Sequence, residues 1–400
     1  MSFQFQIPRK VRTGRGALTD FLAAASAYGT RALIVTGRHV RQLDAFRQLT
    51  DGLGAHHIAF TVFDGIPGEP DDAMIAAGAD AYRASHCDFL IAMGGGSPMD
   101  AMKAIAVTAG GSRGICSYYG QSIDCARPPM IAIPTTAGTG SEATQFTVIT
   151  ERARGIKMLL KGPALLPDEA VVDGALTVGA PPSVVSATAL DALTHATEAY
   201  TSRRAQPLTD ALCVSAVQRI FRALPAAYRA AQGDAIDAET RACVHDALAV
   251  AALEAGIAIN NSSVTIVHGM SRPIGALYHV PHGLSNAMLL HRCMAFAAGL
   301  DDPDADRAAV ARFAALGRAV GAAQPSDEDE TAAAAYIHAL GRICKLCDVP
   351  TPVLYGINPA DFADRIDKMA DDALASGSPA NTRRPVTKSD ILALYRAILS

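Results

Sequence analysis

Over roughly the first 180 residues the apolar positions gather into short, β-rich runs. Arg31-Ala-Leu-Ile-Val-Thr36, Ile58-Ala-Phe-Thr-Val-Phe63, Phe89-Leu-Ile-Ala-Met93, Met130-Ile-Ala-Ile133 and Ala170-Val-Val-Asp173 each predict a strand. Phe3-Gln-Phe-Gln-Ile7 alternates apolar and polar residues and predicts an edge strand. Between the runs, His39 to Leu53 and Asp71 to Ser85 have helical spacing, the latter with Asp71 and Asp72 where a helix dipole favours negative charge. Strands separated by helices of this length predict right-handed βαβ crossovers and a largely parallel sheet. After Pro181-Pro182 the pattern changes to long, alanine-rich segments of helical period, such as Asp210 to Leu224 and Ala238 to Ala258. Asp301-Asp302-Pro303 and Ser326-Asp327-Glu328 mark later helix starts. The expectation is an α/β domain over residues 1–181 and an all-helical domain over 182–400.

Composition narrows the partners. Half of the 400 residues are hydrophobic and 18% are charged, so a sizeable core is available. No window approaches the ~18 uninterrupted apolar residues of a membrane span, and Met-Ser-Phe-Gln-Phe-Gln-Ile-Pro8 lacks the form of a signal peptide. A net charge of −4 with both signs interspersed argues against nucleic acid. Of the eight cysteines only Cys344-Lys-Leu-Cys347 forms a close pair, with no second pair to complete a zinc site. A chain of this kind is expected to keep them as buried thiols in a reducing cytoplasm.

Two strand ends carry candidate chemistry. Phe89 to Met93 runs into Gly94-Gly95-Gly96-Ser97-Pro98, where glycines would let the backbone approach a diphosphate at a helix N-terminus. This is not the G-x-G-x-x-G fingerprint, and by itself the triple glycine is equally well explained as a tight βα turn. Ile131-Ala-Ile-Pro134 leads into Thr135-Thr136-Ala-Gly138-Thr139-Gly140-Ser141-Glu142, a second run of glycines and hydroxyls after a strand. The strand ends of a parallel sheet share one rim, so the two turns together point to a nucleotide.

Further on, Asp191 and His195 lie four apart in a helical pattern, on one face. His268 and His282 are fourteen apart, too far for one straight helix at ~1.5 Å per residue. Pro273, Gly275, Pro281 and Gly283 offer breaks that could return both rings to one point, and Gly269 and Gly283 place a small residue beside each ring. One carboxylate and three imidazoles suit a first-row divalent ion with a position left open. Spacing alone leaves a surface pair and satisfied histidines as equal alternatives. His279 is the nearest competitor, read as an outer-shell or core group.

Taken together these motifs resemble the iron-containing (group III) alcohol dehydrogenase family over essentially the whole chain. Gly94 to Lys103 is similar to its G-G-G-S-x-x-D-x-x-K turn, and Thr135 to Glu142 to its T-T-A-G-T-x-x-E loop. Asp191-Ala-Leu-Thr-His195-Ala-Thr-Glu-Ala-Tyr200 is similar to its D-A-x-x-H-x-x-E-x-Y helix, and His268 through His282-Gly283 to its histidine motif. The tail, Gly377 to Asn381 and Asp390 to Tyr395, also fits. The resemblance implies a Rossmann-like domain with a dehydroquinate synthase-like architecture. It implies Fe²⁺, sometimes Zn²⁺, at Asp191, His195, His268 and His282, and cofactor contacts at Gly95, Gly96, Ser97, Asp100, Thr135, Thr136, Thr139, Thr144 and Lys157. The implied reaction passes hydride between NAD(P)(H) and a primary alcohol or aldehyde whose oxygen is polarised by the cation. A homodimer through Phe3 to Ile7 is implied as well.

The chain departs from the family at informative places. Where NAD-preferring members carry an aspartate after the first α/β strand, it has Gly37 and then Arg38, which predicts a preference for NADP(H). Where many members have a histidine four residues beyond the third ligand, it has Arg272, always charged and unsuited to relaying protons. Arg272 could hold an anionic substrate tail or brace cofactor phosphates. Glu69 replaces an asparagine, and Leu289-Leu-His-Arg292 replaces L-L-P-H. The alternative within the superfamily is a maleylacetate-reductase-like enzyme or a hydroxyacid–oxoacid transhydrogenase.

Overall fold

Four of the apolar runs, at Arg31–Thr36, Phe89–Gly94, Met130–Pro134 and Glu169–Val172, are strands buried on both faces, which is why they do not alternate, while Ala59–Phe63 is a more exposed edge strand. The structure is a computed structural model and describes residues 2–111, 113–302 and 306–399. Its strands are β1 (Lys10–Thr13), β2 (Arg31–Thr36), β3 (Ala59–Phe63), β4 (Phe89–Gly94), β5 (Met130–Pro134), β6 (Phe146–Glu151), β7 (Ile156–Lys161) and β8 (Glu169–Val172). Six of them form one parallel sheet in the order β1-β8-β5-β4-β2-β3. Successive side chains go to opposite layers. Ala32, Ile34, Phe89, Ile91, Met93, Ile131 and Ile133 pack with Phe21 and Leu49. Leu33, Val35, Leu90, Ala92, Met130 and Ala132 pack with Met102 and Ile105 of the Gly96–Gly110 helix.

Two expectations need correction. Phe3 to Ile7 is not a strand; the first one is β1, parallel to β8 from Lys10↔Glu169 to Thr13↔Val172. Alternation over five residues shows that a segment has two unlike faces, not that a strand edge lies beside it within the chain. Phe3 and Ile7 are exposed. The stretch from His39 to Leu53 is also less regular than its spacing predicts: a 3₁₀ turn at Val40–Gln42 and an extended Leu43 precede the helix Asp44–Ala55. The antiparallel β6–β7 hairpin was not anticipated. Its strands are short and mixed in polarity, and its turn closes on Gly155 at φ +63°.

The chain divides into a unit of Gln6–Val178 and a unit of Gly179–Ser400 with Met1–Phe5. The second unit is helical. It includes Pro182–Thr201, Pro207–Gln232, Ala238–Asn261, Ile266–Tyr278 and His282–Ala298. Ala238–Asn261 is long and apolar enough to cross a membrane, but most of it is buried against neighbouring helices. Of the expected later helix starts, Asp329–Leu346 follows Glu328, and another helix begins at Arg307 after an Asp306 cap. Pro303 lies outside the described residues.

All eight cysteines are free thiols. Cys344 and Cys347 are buried at the C-terminal end of the Asp329–Leu346 helix, and burial pushes both up to about 12. Thiols so placed lack the electropositive setting that makes a CxxC pair reactive. The expectation of burial fails elsewhere, since Cys243 is exposed and Cys116 and Cys125 are half-buried.

Candidate metal centre and cofactor turns

In the α/β unit both glycine turns leave the ends of adjacent strands, β4 and β5. Gly94 has φ +150°, and a Cβ there would come within 2.8 Å of Pro98 Cγ, so only glycine fits between strand and helix. No side chain caps the following helix, which leaves the N–H groups at its start for another acceptor. The second turn packs against the first. A Cβ on Gly95 would lie 3.4 Å from Thr136 Oγ1, and one on Gly96 would lie 3.2 Å from Thr139 Cγ2. Thr136 Oγ1 is buried with no hydrogen-bond partner among the described residues. Free helix N–H groups beside an unspent hydroxyl fit the phosphate and ribose oxygens of a dinucleotide.

Beneath these turns a fully buried ammonium ties the structure together. Lys103 Nζ donates to Ser141 Oγ at 2.8 Å, Thr144 Oγ1 at 3.0 Å and the Phe146 carbonyl at 3.0 Å, spending all three of its protons. Asp100 Oδ1 accepts from Ser141 Oγ at 2.7 Å, and its Oδ2 accepts from the Val148 amide at 2.9 Å. Burial brings Lys103 down to about 8 although Asp100 and Glu142 oppose the shift. Burial also raises Glu142 to about 7. Asp100 and Thr144 thus belong to a hydrogen-bonded support under the turns. Lys157 pairs at 2.7 Å with Glu69, the residue that stands in place of the family's asparagine. Gly37 ends β2 in a bridge to Gly65, and Arg38 beside it is exposed.

In the helical unit the expected metal ligands converge. Asp191 and His195 sit one turn apart on Pro182–Thr201; His268 lies near the start of Ile266–Tyr278, and His282 begins His282–Ala298. The nearest imidazole Nε2 atoms stand 3.8 Å (His195), 3.9 Å (His268) and 3.8 Å (His282) from Asp191 Oδ1. One ligand atom from each of the four lies within 4.8 Å of the others. Asp191, His195 and His268 are buried, whereas half of the His282 side chain is exposed, so the set has one open side. Burial would raise the Asp191 carboxyl, but the three histidines and the Asn286 amide outweigh it and hold it below its ordinary value. Burial and the neighbouring rings of His195 and His282 keep His268 well below the usual imidazole range. A carboxylate among imidazoles is a donor set that suits a divalent cation.

The breaks act as the spacing suggested. Ile266–Tyr278 ends at His279, which has φ +54°, and Pro281 caps the next helix. His279 is therefore an exposed turn residue, neither an outer-shell nor a core group. The glycines beside the rings are contact points. A Cβ on Gly269 would meet Pro379 at 2.7 Å, and one on Gly283 would meet the Ala187 carbonyl at 2.3 Å.

Two buried polar residues around the set were not singled out from the sequence. Glu198 Oε2 accepts from His268 Nδ1 at 2.5 Å, while its Oε1 accepts from Thr265 Oγ1 and the Val267 amide, both at 2.7 Å. This bond places the His268 proton on Nδ1 and leaves Nε2 as a lone-pair donor. Asn286 Nδ2 lies 2.7 Å from Asp191 Oδ1. Both were detectable by helical spacing: Glu198 follows His195 by three residues, and Asn286 follows His282 by four. Arg272 is one turn beyond His268 and mostly buried; Glu198 attracts it, and it makes no hydrogen bond among the described residues.

A parallel nucleotide-type sheet with two glycine turns, and a helical unit with a buried Asp-His₃ set, define an oxidoreductase that uses a dinucleotide and a divalent metal. The chain belongs to the iron-containing alcohol dehydrogenase family. The family's model "Iron-containing alcohol dehydrogenase" matches residues 8–174, and "Fe-containing alcohol dehydrogenase family, C-terminal" matches 185–399. The probable alcohol dehydrogenase EutG of Salmonella typhimurium is 33% identical over 98% of this chain and 94% of its own. The crystal structure of a 1,3-propanediol oxidoreductase superposes with a TM-score of 0.91 at 29% identity, covering 100% of both chains. That of sulfoacetaldehyde reductase from Bifidobacterium kashiwanohense in complex with NAD⁺ gives 0.85 at 26%, covering 100% of this chain and 99% of the other.

The close approach at Gly283 is testable. Gly283→Ala would push the helix bearing His282 away from Ala187, a strain of about 1–3 kcal/mol, and is expected to weaken divalent-metal affinity at least tenfold. A metal titration giving the parent value would show that the contact does not set the ligand geometry.

Proposed function

We propose that this protein reduces an aldehyde, or oxidises the matching primary alcohol, with NADP(H) or NAD(H), using a divalent cation held by Asp191, His195, His268 and His282. The observation that carries this reading is the convergence of four ligand atoms to within 4.8 Å of one another. When bound, such a cation supplies Lewis acidity to the substrate oxygen. Fe²⁺ is the metal of the family's name, and Zn²⁺ fits the same donors. Asp191 contributes negative charge, Glu198 fixes the His268 ring and its tautomer, and the exposed side at His282 leaves room for substrate. The α/β unit holds the dinucleotide at Gly95, Gly96, Ser97, Thr135, Thr136 and Thr139. A homodimer would give the exposed Phe3 and Ile7 a partner surface.

Two departures refine the reading. Gly37 and Arg38 remove a carboxylate that would repel a 2′-phosphate and add a cation that attracts one, which favours NADP(H). Arg272 supports a substrate with an anionic tail, because a mostly buried guanidinium without a hydrogen-bonding partner among the described residues is suited to a carboxylate or sulfonate. A structural relative is named for reducing sulfoacetaldehyde, an aldehyde of that kind.

Chelation followed by anaerobic Fe²⁺ should abolish and then restore aldehyde-dependent NAD(P)H oxidation. Activity that survives complete metal removal would favour the maleylacetate-reductase-like alternative. Arg38→Ala is expected to lower kcat/KM for NADPH about tenfold while sparing NADH; equal losses would reject 2′-phosphate recognition. Arg272→Ala should raise KM for an anionic aldehyde by ~10- to 100-fold, the equivalent of about 1.5–3 kcal/mol for a charged hydrogen bond, and leave a neutral aldehyde of equal length unaffected. Parallel losses on both substrates would leave Arg272 without a role in tail binding.

A further inference from the structure

Asn286 lies one turn after His282 and is fully buried. Its Nδ2 is 2.7 Å from Asp191 Oδ1, 3.1 Å from His268 Nε2 and 3.3 Å from His282 Nε2. One amide nitrogen therefore touches three of the four ligand side chains. The carboxylate oxygen it meets is the same Oδ1 that stands 3.8–3.9 Å from the imidazole nitrogens. The orientation of the amide follows from chemistry: turned over, its carbonyl oxygen would oppose the carboxylate, and no donor would reach Asp191.

The other end of the side chain serves no packing purpose. Asn286 Oδ1 is buried and has no hydrogen-bond partner among the described residues, a condition that costs roughly 1–3 kcal/mol. An apolar residue of similar volume would fill the space without that cost. The asparagine makes physical sense here as a neutral donor. A carboxylate in its place would put a second negative charge against Asp191, and a cation would compete with the metal.

We propose that Asn286 is a positioning residue of the metal centre. It pins Asp191 Oδ1 at the middle of the three imidazoles, so it sets how tightly and in what geometry a divalent cation is held. The proposal rests on the metal reading given above, and the experiment separates the two.

Co²⁺ is titrated into the chelator-treated full-length protein against a competing chromophoric chelator, and the visible ligand-field bands of the complex are recorded, for the parent and for Asn286→Leu. The parent is expected to bind one Co²⁺. Asn286→Leu is expected to remain folded by circular dichroism, to bind ~10- to 100-fold more weakly, and to show shifted ligand-field bands, which a purely structural residue would not alter. The same affinity and bands in parent and variant would overturn the proposal while leaving the metal reading in place. A parent that binds no stoichiometric Co²⁺ would remove both. If Asn286→Leu loses its folded signal, the same titration on Asn286→Ala, which removes bulk instead of exchanging it, decides between these outcomes.

Discussion

A carboxylate taken out of water is among the most expensive groups a protein can bury, and Asp191 sits at 2% exposure inside the helical unit. Its surroundings can be read as the answer to that cost. Three helices each bring an imidazole to it, and a fourth group, the Asn286 amide, donates to the same oxygen. Bringing the helices that close requires their backbones to approach, which is what Gly283 permits against Ala187. The rings must also be correctly turned, which Glu198 enforces for His268. The carboxylate thus dictates small residues, helix breaks and outer hydrogen bonds that would otherwise look unrelated.

The α/β unit poses the opposite problem with a similar solution. Lys103 is an ammonium buried among small hydroxyls, and its three donors reach Ser141, Thr144 and the Phe146 carbonyl. Those acceptors belong to the second glycine turn and the hairpin strand beyond it, while Lys103 belongs to the helix that starts at the first turn. One side chain therefore fixes the register between two loops whose glycines would otherwise leave them loose. In each unit a charge that would be costly alone is surrounded until it becomes a rigid support.

The sheet was legible because a strand buried on both faces needs an apolar run, and a run between turn residues is a local signal. Phe3 to Ile7 and the β6–β7 hairpin failed for a shared reason: pairing depends on a neighbour that no short window contains. Spacing placed Asp191 with His195 on one helix face, yet could not bring in His268 or His282, since that depends on the His279–Pro281 break and on packing at Gly269 and Gly283. There the order of family motifs supplied what local physics could not. The motifs also singled out Asp100 and Thr144, but no local signal in the sequence shows that both are tied through Ser141 and Lys103 into one buried network under the turns.

These constraints also separate the residues that the ligand geometry fixes from one that it does not. Asp191, His195, His268, Glu198 and Asn286 are packed so closely against one another that changing any of them would disturb the ligand geometry itself. Gly94, Gly95 and Gly96 of the first turn are similarly confined by the side chains of Pro98, Thr136 and Thr139. Arg272 differs: it stands on the helix of His268, one turn from that ligand, and is attracted by Glu198 without a hydrogen bond among the described residues. A guanidinium so placed can be exchanged for a neutral residue without dismantling the centre one turn away. Under the proposed function, Arg272 is therefore the position at which the charge of the preferred substrate would be set.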